Sequence, residues 1–161
     1  MGRAGATRRL IAGYGTPDGH ADEDGVYFNL PGVAVVKWDR ASRAAHMEWQ
    51  GWASPVEFRA ANDALVRALA DHHGSKILGD SRHIKVIQSA DQDWVNTDWF
   101  PRILAAGLTQ MALVLPASGL AKMNVDSLVS RVADQLDVAY FGTLAEARIW
   151  LARPLRLAVS T

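Results

Sequence analysis

The chain of 161 residues contains no cysteine. That absence removes disulfides, thiolate metal sites and cysteine nucleophiles together, and it fits a reducing compartment. Net charge is missing as well, because seventeen basic and seventeen acidic residues cancel. No global field therefore draws in nucleic acid or an anionic surface, and any such contact is left to local patches. No run approaches the roughly 20 apolar residues of a membrane-spanning helix. The Thr7-Arg8-Arg9-Leu10 start has the look of a twin-arginine signal, yet the residues after it, IAGYGTPDGH, hold no apolar region of signal-peptide length. These absences point to a cytoplasmic protein with no membrane span and no nucleic-acid role. Metal spacing is lacking too: His72 and His73 are adjacent and so diverge on a helix, and there is no HExxH pattern. No cofactor is expected.

What is present is apolar mass, 49% of the residues, enough for one sizeable core. Residues 1–25 stand apart, with Gly2, Gly5, Gly13, Gly15, Gly19 and Gly25, Pro17 and few bulky apolar groups. They read as a flexible segment ahead of a single domain over 26–161. From Val26 the pattern turns to strand. Val33, Val35, Val36 and Trp38 form one β-rich run, and Ala45, Met47 and Trp49 alternate with polar neighbours after a hairpin connection at Asp39 to Arg43. Three capping boxes then predict helix starts: Ser54-Pro55-Val56-Glu57, Ser89-Ala90-Asp91-Gln92 and Thr143-Leu144-Ala145-Glu146. Gly74 is placed to end the first helix, Pro101 to kink or split the second, and Gly107 to end it. Asn124 and Asp126 suggest a break between a short and a longer helix. Ile77-Leu78, Met111 to Leu115 and Val138 to Phe141 supply further strands. The order is strand, strand, helix, then three strand–helix units. It predicts an α/β domain with a mixed central sheet of about five strands and helices packed against it.

Asp80 closing a strand and Ser89 opening the next helix give an order of elements that resembles the STAS fold of bacterial anti-sigma-factor antagonists. The fuller pattern, GDSRHIKVIQSADQDWVNTDWFPRILAAG with MALVLPASGLAKM and AYFGTLAEARIWL, is similar to the STAS/SEC14-like group of small bacterial proteins, over roughly residues 26 to 152. The STAS side implies a non-catalytic regulatory or interaction domain, switched when a partner kinase phosphorylates a serine at a helix start. Ser89 stands at that position, although Gln88-Ser89-Ala90-Asp91 departs from the usual Asp-Ser pair followed by small residues. The SEC14 side implies a small carrier that holds an apolar or lipid-like ligand under its helices.

Several residues invite a functional reading beside a bland one. Asp80, Ser81 and Arg82 fall at a strand's C-terminal end, where open α/β sheets place ligand crevices; the plain alternative is a turn held by Asp80 to its own backbone and by pairing with Arg82. Ser89 is fully explained as an N-cap. Trp94 and Trp99 fit a core, but six tryptophans exceed what a core of this size requires, so Trp94 in particular is a candidate partner or ligand contact, and self-association is expected. Ser81 or Ser89 with His83 and Asp80 contains triad residue types, but no G-x-S-x-G elbow accompanies them, and a small hydrolase ranks last. A deep apolar cavity near Met111, Met123 and Trp99 would favour the carrier, and a close-packed core with an exposed aromatic patch the interaction domain.

Overall fold

The strands of this chain pair in the order in which they are made. The computed structural model, which describes residues 21–116 and 119–153, contains β1 (Val26–Leu30), β2 (Ala34–Asp39) and β3 (Ala44–Trp49) as an antiparallel meander. Helix α1 (Pro55–His72) leads to β4 (Lys76–Asp80), which lies parallel to β3. Helix α2 (Ser89–Trp94), a π-helical turn (Val95–Trp99) and α3 (Phe100–Ala105) follow as one run and deliver β5 (Gln110–Val114). Helix α4 (Gly119–Ser130), β6 (Asp137–Phe141) and α5 (Leu144–Ala152) complete the series. The result is one mixed sheet of six strands in the order β1-β2-β3-β4-β5-β6. That is one strand more than the sequence reading expects. Strand β1 escaped it because the register slips between Val26 and Phe28, so the neighbours Tyr27 and Phe28 are both buried and the period of two is broken.

Right-handed crossovers between successive parallel strands put their helices on one face of the sheet. Helices α1, α2–α3 and α4 accordingly share one core with Met47, Trp49, Ile77, Met111 and Leu113. Helix α5 makes no crossover and covers the opposite face, where Ala147 and Leu151 pack on Ala44, Leu78, Ala112 and Val114. Strands β4 and β5 are thus covered on both sides, as continuous apolar runs such as MALV require.

Local chemistry sets the helix ends. Ser54 caps α1 in a complete box: its Oγ accepts from Glu57 N–H at 3.3 Å, and the Glu57 carboxylate accepts from Ser54 N–H at 2.9 Å. At the other end the left-handed residue is His73 (φ 49°), not Gly74, whose N–H closes the turn onto Leu69 O at 2.9 Å. Thr143 caps α5 through Glu146 N–H. The box at Ser89 does not form. Gln88 takes the cap position with extended backbone and no side-chain bond, which leaves Ser89 as the first helical residue. Pro101 does not split its helix either. The turn before it widens to π geometry, with Phe100 N–H reaching Val95 O, and this brings both Trp99 and Phe100 into the core, rings 5.1 Å apart. Gly107 (φ 113°) then ends α3. Helix α4 runs unbroken through Asn124 and Asp126, against the expected break, and stops at Ser130.

The expectation of a flexible segment over 1–25 falls mostly outside the described residues. Its last part, residues 21–25, is a turn in which Asp22 Oδ1 accepts from Asp24 N–H and Val26 N–H, both at 2.9 Å.

Candidate functional site

Between the helix-covered face of the sheet and α1, the π turn and α4 lies a cavity of about 90 Å³. Met47 and Met111 wall it from the sheet, Phe58 and Leu65 from α1, Trp99 and Phe100 from the π turn, and Val125 from α4. Ser81, Ile84 and Ile87, from the connection that follows β4, complete the wall. Gly79 belongs to its floor, and the absence of a side chain there has a physical cause. A Cβ on Gly79 would lie 2.6 Å from Leu113 Cδ2, so glycine is what lets Leu113 lie across the neighbouring strand. Two polar groups of the wall are turned to internal use. Trp99 Nε1–H donates to Asn62 O at 2.7 Å, and Asn62 Nδ2 donates to Phe58 O at 2.9 Å. One bond fastens the β4–α2 connection over this space: Ile87 N–H donates to Asn124 Oδ1 at 3.2 Å. Met123, expected beside the cavity, instead points outward and is exposed.

Asp80 belongs to the other face. Strand alternation sets it with Leu78, two residues earlier, on the side that α5 covers. It is buried, and Arg82 closes on it with Nε to Oδ1 at 2.9 Å, Nη2 to Oδ2 at 2.7 Å and backbone N–H to Oδ1 at 3.2 Å. Burial alone would push the carboxyl up, but the hydrogen bonds and charge of Arg82 prevail and hold it below the usual carboxylate range. Glu48 is its neighbour across the β3–β4 register. Further along β3 on the same face, His46 is only 4% exposed, and neither ring nitrogen has a hydrogen-bond partner. Burial, followed by the nearby charges of Lys37 and Arg148, lowers its pKa to about 4. Asp39 pairs with Arg148 at 3.1 Å and accepts from Ser42 Oγ at 2.7 Å.

Ser89 is exposed at the start of α2, with Gln92 Nε2 reaching back to Ile87 O at 2.8 Å. Trp94 is half-buried between two guanidinium groups, Arg59 at 5.4 Å and Arg102 at 5.7 Å from its ring. Arg59 pairs with Asp91, and Arg102 with Asp63 and Asp98. Trp99 is core. Asp80 and Arg82 therefore sit on one side of the sheet, Trp94 and Trp99 on the other, and Ser81 turns to the cavity, so the five residues do not form one surface. Among the described residues no hydrogen bond joins Asp80, the Ser81 hydroxyl and His83. The cavity residues Asn62, Met47 and Gly79 were missed in the sequence, although a glycine inside a strand pattern is a signal of close approach. His46 carried no signal beyond its place in an alternating run.

No protein-family model, no curated protein and no solved structure matches this chain. Among the described residues there is no group of three His, Asp or Glu side chains placed to hold a metal ion, and no helix long and apolar enough to cross a membrane.

Proposed function

We propose that this chain is a non-catalytic binding domain of STAS/SEC14-like type that encloses a small apolar ligand between its sheet and its helices, the carrier reading of the resemblance. The observation that carries it is the cavity beside Met111 and Trp99. Its volume, about 90 Å³, is below the roughly 150 Å³ of an engineered apolar cavity that accommodates benzene, so it suits a slender group such as the end of an acyl chain rather than a ring. Met47 and Met111 add adaptability, because an unbranched thioether re-packs around different shapes. A longer ligand requires the 84–87 connection to part from Asn124. Asp80 and Arg82, paired with each other on the far face, have a structural part in this reading.

The regulatory alternative keeps one observation in its favour: Ser89 is exposed and is not used as a cap. A phosphate there meets a helix start, which attracts it, and Asp93, which repels it. Native mass spectrometry of protein purified from its own host separates the two. The expected result is a bound apolar molecule that is absent from the Gly79→Val variant, whose added methyl groups enter the cavity floor. A phosphate increment at Ser89 with an empty cavity selects the regulatory reading instead, and the same spectrum reads out the expected dimer.

A further inference from the structure

The exposed apolar side chains of this protein are not scattered. Seven large ones stand out among the described residues, and five of them, Trp52, Val56, Val86, Leu120 and Met123, are 50–68% exposed at one end of the molecule. Topology places them there. Strands β3, β4 and β5 are adjacent and parallel, so the segments that leave their C-terminal ends emerge side by side. Trp52 and Val56 belong to the β3–α1 connection and the first turn of α1, Val86 to the β4–α2 connection, and Leu120 and Met123 to the start of α4. The remaining two, Tyr140 and Ile149, lie on β6 and α5.

Charge is sorted in the same way. Residues 50–56, 81–90 and 115–125 contain Arg82, His83, Lys85 and Lys122 and not one Asp or Glu, in a chain whose total charge is zero. Arg82 is engaged by Asp80, but among the described residues Lys85 and Lys122 have no ion-pair partner. The acids that border these segments are engaged by other groups: Asp80, with Glu48 beside it, by Arg82, Glu57 by the Ser54 cap, Asp91 by Arg59, and Asp126 by the Tyr140 hydroxyl.

From this coincidence of exposed apolar tips and two interleaved lysines without ion-pair partners we infer that the C-terminal end of the parallel strands is a peripheral docking surface for an anionic lipid bilayer. An amphipathic, lysine-bearing surface with tryptophan at its edge is the chemistry of the bilayer interface, where apolar side chains enter the acyl boundary and lysines meet the headgroups. The apolar tips stand on three separate stretches of chain rather than along a single element, which matches a broad fluid surface. The β4–α2 connection supplies Ser81, Ile84 and Ile87 to the cavity wall and α4 supplies Val125, so a docked molecule presents its cavity to the bilayer. The docking itself does not depend on the cavity being filled.

Vesicle flotation of the full chain tests this with two lipid mixtures, phosphatidylcholine alone and phosphatidylcholine with a third of phosphatidylglycerol. Flotation is expected with the anionic vesicles and not with the neutral ones. It should weaken sharply when salt rises from about 0.1 to about 1 M, which shortens the screening length from ~10 to ~3 Å. Each lysine near the surface is worth about fivefold in partitioning, so the Lys85→Ala, Lys122→Ala double variant should lose about 25-fold. Val86→Asp should lose about tenfold or more. Ile149→Asp, equally exposed but on α5, serves as the control and should float like the parent. Thermal unfolding of each variant establishes that it is folded. No flotation with either mixture overturns the inference, as does flotation that Val86→Asp and the lysine pair leave unchanged; either result would instead leave this end to a protein partner. Ligand occupancy of the cavity, read separately in vesicle-free solution, fails or succeeds on its own.

Discussion

His46 is the residue whose setting departs furthest from its chemistry. A side chain that ordinarily titrates at 6.5 is buried with both nitrogens unbonded, and burial lowers its pKa to about 4. The fold thus favours the neutral ring. Above about pH 6.5 the ring is neutral folded and unfolded, and its contribution to stability is fully present. As the pH falls from 6.5 toward 4 the unfolded chain takes up a proton that the folded chain refuses, and stability drops by up to about 3 kcal/mol. Asp39 and Asp80 do not confuse this window. Both are held below the ordinary value of 3.8 against the opposing effect of burial, so the stability they add is lost only at more acid pH. Urea midpoints measured between pH 7 and 4 should fall for the parent and stay flat for His46→Leu. An unchanged slope in that variant would assign the effect to another group.

At the level of elements, the helix caps make a contrast that can be measured. Ser54 and Thr143 each accept a hydrogen bond from the N–H three residues on, and truncating either to alanine should cost about 1 kcal/mol. Ser89→Ala should stay within about 0.5 kcal/mol, because that hydroxyl caps nothing. Thermal denaturation of the three variants tests the difference, and a Ser89 cost equal to that of Ser54 would restore the capping box. The same contrast shows what can be read in a sequence. Cap signals at Ser54 and Thr143 are local, and so they were legible. At Ser89 the chain enters the helix one residue earlier than the box predicts, with Gln88 rather than Ser89 at the cap. Strand β1 was hidden by its bulge, and Pro101 announced an irregularity but not that a π turn would turn Trp99 and Phe100 inward together. The Asp80-Ser81-Arg82 stretch looked like one site because its residues are consecutive. At the end of a strand, consecutive side chains point to opposite faces, so closeness along the chain separated them in space.

Across the whole molecule, protection should follow cover. Strands β4 and β5 have helices on both faces, whereas β1 and β6 form the edges of the sheet. Hydrogen exchange read by mass spectrometry should find 76–80 and 110–114 slowest and 137–141 markedly faster. Equal protection across the sheet would mean that the edges do not open independently. The strand order has a consequence for how such a chain is born. Because every described strand after β1 pairs with the one made just before it, each of them leaves the ribosome with a partner already synthesised. Each new strand meets a finished template. The exception is the face under α5: Leu78, Ala112 and Val114 stay uncovered until the last described helix arrives, so the interval before residue 144 emerges is when this protein is most exposed to wrong company.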